Sequence, residues 1–218
     1  MDIDFILKVL PFYGAATWVT LTLAFYGVLF SLIVGTICAV INFYKIPVLR
    51  RIVYAYVEMG RNTPLMIQLF FLYFALPRLG IMIDGKHCAI IGLTFLGGAY
   101  MSEAIRSGLS AVGRIQVETG MSLGFGKLKL LRYIIMPQAV AVALPVIAAT
   151  TIFLMKETSV VSIVAMQDLV YLAKDLLKEG HSAESNFLLV VSYLIIILPV
   201  SLVFSYLERR SRFAGFGS

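Results

Sequence analysis

The sequence predicts an all-α integral membrane protein with five transmembrane helices, its amino terminus outside and its carboxyl terminus in the cytoplasm. Three observations predict it. The 218 residues are 60% hydrophobic and 14% charged, whereas soluble domains run at about 25% charged and about 45–50% apolar. The apolar residues form continuous stretches, not the alternation of an outer-membrane barrel. Lys and Arg gather at alternate ends of those stretches, which sets the orientation of a multi-pass chain.

A bilayer core needs roughly 20 apolar residues per helix. Five stretches meet this, at about 14–42, 50–77, 88–107, 137–156 and 186–207. Together they make a single transmembrane domain over residues 1–218. The first is too long for a signal-peptide core and is followed, not preceded, by basic residues, so no cleavable leader is expected. The second would be about 42 Å long as a straight helix, more than the ~30 Å apolar slab. Asn62-Thr63-Pro64 interrupts it. A break or strong tilt is expected there, with Pro64 at the first helical position and Asn62 or Thr63 as cap. In the third stretch, Gly97 and Gly98 allow close helix approach. Between the fourth and fifth, residues 160–178 carry apolar side chains at helical spacing among Asp168, Lys174, Asp175 and Lys178. That pattern reads as an external amphipathic helix lying on or dipping into the membrane surface without crossing it.

One side of the membrane receives Lys45, Arg50, Arg51, Arg106, Arg114, Lys127, Lys129, Arg132, Arg209, Arg210 and Arg212. The other receives Lys8, Arg78, Lys86, Lys174 and Lys178. The richer side is cytoplasmic. The net charge of +6 is therefore mostly a topology signal. Its scatter among short loops speaks against nucleic-acid binding. Cys38 and Cys88 sit singly in apolar sequence and read as small core residues, with no metal spacing. His87 and His181 read as solvated. No HExxH or GxSxG occurs, so no catalytic residue is expected.

Residues 108–136 form the longest cytoplasmic segment. A short helix from about Gly113 to Leu123 would end at Gly124, a residue suited to the left-handed stop. Ile115, Met121 and Leu123 give it an apolar side, and Arg114, Gln116 and Glu118 a polar one. Such a helix, with nothing of its own to pack on, suits a partner protein. The glycines are not a phosphate-binding loop: Gly120 and Gly126 are one residue too far apart, Leu128 follows Lys127, and no strand precedes.

This segment resembles the "EAA" loop of the membrane-spanning subunits of ABC importers, which runs Glu-Ala-Ala, three residues, Gly, nine residues, Ile-x-Leu-Pro. Here Glu118-Thr119-Gly120 is followed by three residues, Gly124, nine residues and Ile134-Ile135-Met136-Pro137. Glu, Gly, Ile and Pro keep their offsets, while Thr119, Gly120 and Met136 depart from the pattern. "RNTPLMIQLFFLYFALP" from Arg61, "AYMSEAIRSGL" from Ala99 and "KETSVVSI" from Lys156 resemble blocks of the polar amino-acid branch, the histidine/glutamine/arginine type. The resemblance implies a coupling helix that docks on an ATP-hydrolysing subunit. Glu118, Thr119 and Gly120 would lie at the docking surface, and Gly124 at the turn.

Charges at membrane depth cost about 2.5–3.5 kcal/mol each on insertion scales. Glu58, Arg61, Glu103, Lys156 and Glu157 therefore need partners or a wet cavity. Glu58 and Arg61, three apart, either pair on one helix face or meet substrate beside Asn62 and Thr63. A half-helix starting at Pro64 would aim its positive end into the bundle, with Gln68 one turn on. Lys156 and Glu157 point about 100° apart and cannot simply neutralise each other. Thr158 and Ser159 offer caps for a following helix. The resemblance puts this block at the translocation path, where Glu157 would receive a cationic group or serve in a structural ion pair. Glu103 and Arg106 read as a local salt bridge, and Tyr100 as lining or packing.

The expected function is that of a permease subunit without enzymatic activity, carrying a polar amino acid through a bacterial cytoplasmic (inner) membrane. The resemblance implies two ATP-binding subunits holding ATP and Mg, an extracytoplasmic amino-acid-binding protein, and a second permease subunit, identical or homologous. The chain itself would bind no cofactor or metal, and would contact lipid. The alternative is a secondary transporter or channel subunit driven by an ion gradient.

Overall fold

In a computed structural model, which describes residues 3–215, the chain is helical from end to end. Helix α1 (Ile3–Phe43) leads through a tight turn to α2 (Pro47–Asn62). After a break come α3 (Leu65–Phe70), a π turn (Phe71–Ala75) and a 3-10 turn (Leu76–Leu79). Then follow α4 (Gly85–Ser110), α5 (Arg114–Ser122) and α6 (Lys127–Leu130). A π turn (Leu131–Ile135) joins α6 to α7 (Met136–Glu157), and a 3-10 turn (Thr158–Val164) closes it. The chain ends with α8 (Leu169–Lys178) and α9 (Ser182–Gly215).

Four helical runs among the described residues are long and apolar enough to cross a bilayer: Ile3–Phe43, Gly85–Ser110, Leu128–Val164 and Ser182–Ser211. The fifth expected span, 50–77, is two pieces. The shorter apolar one is Leu65–Leu79, and the break falls at Thr63-Pro64 as the proline required. The caps differ from expectation. Pro64 itself occupies the N-cap position, with no side-chain cap. Asn62 turns back and donates from Nδ2 to Glu58 O at 2.7 Å. Gln68 Nε2 instead spans the break, donating to Thr63 O at 3.0 Å.

The most extensive packing is between α1 and α4, and small residues permit it. A Cβ on Gly35 would stand 2.5 Å from Met101 Cβ, and one on Gly97 would run into Ser31 Oγ and Leu154. Ser31 Oγ donates to Leu93 O at 3.1 Å. Such close approach suits helices that gain nothing by hiding apolar surface from lipid. The outward faces stay apolar: Phe25 and Ile37 on α1 and Leu194, Ile195 and Leu198 on α9 are all exposed. That surface belongs in a bilayer. Cys38 and Cys88 are free and buried, as expected. His181 stacks on Phe5, and exposed His87 meets Asp84, whose carboxyl is thereby held below its usual range.

The stretch 160–178 is not one amphipathic helix. Ala165 takes φ +57, and buried Asp168 starts α8 by accepting Tyr171 N at 3.0 Å and Val170 N at 3.2 Å. The expected caps Thr158 and Ser159 do not cap, because the chain runs from α7 straight into the 3-10 turn. Burial outweighs Asp168's hydrogen bonds and pushes its carboxyl up to about 6. Leu169, Ala173 and Leu176 of α8 are buried, so the helix packs onto the bundle and does not merely float at its surface. Tyr13, in the part of α1 ahead of the expected span, ties the region together by donating to Ser185 O at 2.9 Å.

Candidate functional site

Two features stand out: an open cavity between α2, α4 and the end of α7, and the exposed helix at one end of the bundle. The cavity, about 340 Å³, is lined by Arg61, Asn62, Thr63, Pro64, Leu65, Met66, Leu96, Tyr100, Phe153, Glu157 and Val160. It forms because α2 stops at Asn62, which leaves a gap beside α4 and the end of α7. Five residues singled out from sequence meet there: Arg61, Asn62, Thr63, Tyr100 and Glu157. The ring of Tyr100 lies edge-on to Phe153, 5.4 Å between centroids, and Arg61 Cζ stands 5.7 Å from the Tyr100 centroid.

The expected Glu58–Arg61 pair does not form. Arg61 reaches across to α4, with Nη1 3.7 Å from Glu103 Oε2. Glu58 accepts from Asn62 Nδ2 at 3.1 Å. The helix ends one residue after Arg61, so its side chain is free to swing to the neighbour. The Glu103–Arg106 bridge is present and two-pronged, at 3.0 and 2.7 Å. Glu103 thus serves two arginines, which three-residue spacing alone did not reveal.

Glu58 is not among the residues lining this cavity, and four other candidates also stand apart from it. Gln68 turns its Nε2 to the helix break, while its Oε1 is buried with no partner among the described residues. Lys156 is exposed and Ser159 half-buried, while Thr158 is buried with Oγ1 donating to Met155 O at 2.7 Å. None of the four is among the residues lining the cavity. Sequence reasoning missed its apolar wall of Leu96, Phe153 and Val160. Only the one-turn spacing of Leu96 and Tyr100 hinted at it.

At the end of the bundle where α4 leaves and α7 begins, α5 stands out from the rest. Glu118 and Thr119 are exposed, and the Glu118 side chain has no hydrogen bond or ion pair among the described residues. Ile115, Met121 and Leu123 are exposed beside it. The helix ends as the glycine predicted. Gly124 takes φ +80, its N–H donates to Met121 O at 2.9 Å, and Phe125 N donates to Gly120 O at 3.0 Å. This pair of bonds is the Schellman stop. Gly120 is buried, and a Cβ there would stand 2.7 Å from Ile134 Cδ1. Gly120 therefore faces inward, as the seat on which α5 rests; only Glu118 and Thr119 of the triplet face outward.

Among the described residues no cluster of His, Cys, Asp or Glu could hold a metal ion. The arrangement offers a cation, Arg61, and a carboxylate, Glu157, lining one cavity with the rings of Tyr100 and Phe153, and a separate protruding helix.

Comparisons with known proteins place the chain in a transport family. Residues 14–213 match the family described as binding-protein-dependent transport system inner membrane component. The probable glutamine ABC transporter permease protein GlnP of Bacillus subtilis is 34% identical over 187 residues, covering 86% of this chain and 85% of that one. The probable amino-acid ABC transporter permease protein PatM of Vibrio harveyi is 34% identical over 200 residues, covering 90% and 87%. Among solved structures, the chain is similar to one described as an amino acid ABC transporter with histidines, at TM-score 0.88 and 29% identity, covering 96% of this chain and 99% of that one. A MetNI methionine ABC transporter chain shares the fold, at TM-score 0.78 and 19% identity.

Proposed function

Because the chain belongs to the family of binding-protein-dependent transport system inner membrane components, as a multi-pass permease subunit of an ABC importer for amino acids, we propose how its two features divide the work. The 340 Å³ cavity holds the amino acid in passage, and α5 receives the push from the ATPase. The observation that carries the first half is the convergence of Arg61, Tyr100 and Glu157 on one lined space. A free amino acid bears a carboxylate and an ammonium group. Arg61 answers the first by charge-assisted hydrogen bonding, the side-chain oxygens of Asn62 and Thr63 accept from the second, and Glu157 receives the side-chain cation of a basic amino acid.

The permease works with ATP-binding and permease partner subunits. In the proposed assembly, two ATP-binding subunits carry ATP and Mg at the cytoplasmic end. A second permease subunit, identical or homologous, completes the path, and an extracytoplasmic binding protein delivers a polar amino acid. The charge asymmetry of the loops supports an amino terminus outside and α5 in the cytoplasm. Glu118 and Thr119 make the docking surface, and the Schellman stop at Gly124 with the Gly120 seat makes α5 a stiff lever on α7. ATP-driven closure of the partners tilts α7, whose far end carries Glu157 and Phe153, so the cavity changes shape.

The test is reconstitution of the assembled importer in liposomes with labelled amino acid. Uptake is expected only with ATP inside and loaded binding protein outside. Accumulation by the purified chain alone, driven by a proton or sodium gradient, would overturn the proposal in favour of a secondary transporter.

A further inference from the structure

A second and larger cavity, about 1080 Å³, lies in the elbow where α1 ends, α2 begins and α4 leaves the bundle. It sits at the same end of the molecule as α5, and the amino-acid path proposed above touches it only through Arg61. Its charge is unbalanced. Two carboxylates reach it, and both are already engaged: Glu103 by Arg106 and Arg61, Glu58 by the amide of Asn62. Lys45, Arg50 and Arg51 line it too. All three are exposed, and none of their side chains makes a hydrogen bond or ion pair with another described residue. Five cationic side chains, Lys45, Arg50, Arg51, Arg61 and Arg106, face two carboxylates, Glu58 and Glu103, and this excess of positive charge calls for an anion.

The elbow sets the backbone positions from which those cations extend. Lys45 sits at φ +53, and Ile46 N donates back to Ile41 O at 3.3 Å, so the turn reverses sharply and α2 starts at once. Arg50 and Arg51 then occupy the first turn and a half of α2. There the free N–H groups at the helix start add to the positive potential. Positive loop charge alone would serve topology from anywhere near the helix end. Here the fold converges three such charges on one concave space.

The surroundings say what kind of anion. Phe43 and Tyr54 line the cavity, and both are exposed. Ile37 and Val40 on α1, and Val48 and Ile52 on α2, are also exposed apolar residues flanking the elbow. A ligand with a charged head and long apolar tails satisfies both parts: the head in the basic cavity, the tails along the apolar helix surfaces. We propose that this elbow binds the phosphodiester of an anionic phospholipid, gripped by Arg50 and Arg51 with Lys45 at its edge. Basic pockets between spans at a membrane interface are suited to such headgroups, and guanidinium forks match phosphate oxygens better than point charges do.

The test uses the assembled importer, purified from membranes and equilibrated in mixed micelles holding equal amounts of phosphatidylglycerol and phosphatidylcholine. Retained lipid is read by native mass spectrometry. The wild type is expected to retain phosphatidylglycerol over phosphatidylcholine by about tenfold or more. The Arg50→Gln/Arg51→Gln pair is expected to lose that preference, while Arg50→Lys/Arg51→Lys keeps part of it. An unchanged set of copurifying subunits shows that the Gln variant still folds. Millimolar inorganic phosphate is expected to leave the retained lipid in place. Displacement by inorganic phosphate would assign the site to a free anion and overturn the lipid proposal. So would equal retention of the two lipids by the wild type, or an undiminished preference in the Gln variant. Transport is not the readout, so failure here and failure of the importer reading remain separate.

Discussion

The guanidinium of Arg61, at the end of α2, stands 3.7 Å from the carboxylate of Glu103 on α4. That carboxylate already takes two shorter hydrogen bonds from Arg106. Arg61 is thus positioned by an acid whose charge is largely committed elsewhere. It is held at the cavity but left with charge to offer an incoming carboxylate.

Arg61→Gln should weaken equilibrium binding of labelled amino acid to the purified importer by about 10- to 100-fold, the range of a charge-assisted hydrogen bond. Analogues whose carboxylate is blocked should bind wild type and variant alike. Equal losses for both ligands would place Arg61 in the scaffold and not at the substrate.

Glu157→Gln should lower uptake of cationic amino acids by about tenfold while neutral ones change by about twofold or less, because only the cationic side chain brings a second positive group. Parallel uptake assays in proteoliposomes measure both. A uniform drop would assign Glu157 a structural part.

Glu118→Lys reverses the charge of a side chain that is exposed on α5 and has no partner within the described chain. Uptake should fall by about tenfold or more, with the permease still present in the membrane, because a reversed charge at a docking surface repels the partner. Normal uptake by this variant would remove Glu118 from the interface.

Gly35→Ala should lower thermal stability by about 1–3 kcal/mol, since its Cβ would stand 2.5 Å from Met101 Cβ and 2.8 Å from Ser102 N, and overpacking costs that much. Gly14→Ala, with nothing within 4 Å of its Cβ, should be neutral or stabilising by about 0.5–1 kcal/mol. Melting of both variants in detergent provides the comparison.

Asp168 supplies a pH prediction. Its folded carboxyl is pushed up to about 6 from 3.8, so the folded state binds this proton more tightly than the unfolded one. Ionising it therefore costs stability in full above about pH 6, and the cost is relieved as pH falls from about 6 towards 3.8. The size is on the order of 2–3 kcal/mol. The exposed Asp84 acts in the opposite sense but below that window, since its carboxyl is lowered. Wild type should melt higher at pH 5 than at pH 7.5. Asp168→Asn, which keeps one capping oxygen, should flatten that difference; an equal slope in the variant would assign it to another group.

Much of this molecule was legible in its residues. The apolar runs fixed where helices cross, Pro64 where the second span breaks, and Gly124 where α5 stops. Each of those facts is local: a run length, a missing N–H, a left-handed φ. The protruding α5 was legible for the same reason, since its pattern lies within twenty consecutive positions. The pairing of charges was not. Spacing along one helix matched Glu103 to Arg106 correctly and Glu58 to Arg61 wrongly, because Arg61 sits where its helix ends and a neighbour is as near as the preceding turn. The same holds for 160–178, where apolar periodicity survives across a corner at Ala165 that no local signal announces.

Composition and order alone, then, determined that the chain lives in a membrane, where it bends, and where a short exposed helix stops. Those properties depend on solvation of whole segments and on backbone conformations of single residues. Packing in three dimensions decided which charges neutralise each other, which are left unsatisfied at the α1–α2 elbow, and which of ten candidate residues share a cavity. Such outcomes depend on distances between helices remote in sequence, and in lipid those distances are set by small residues meeting face to face.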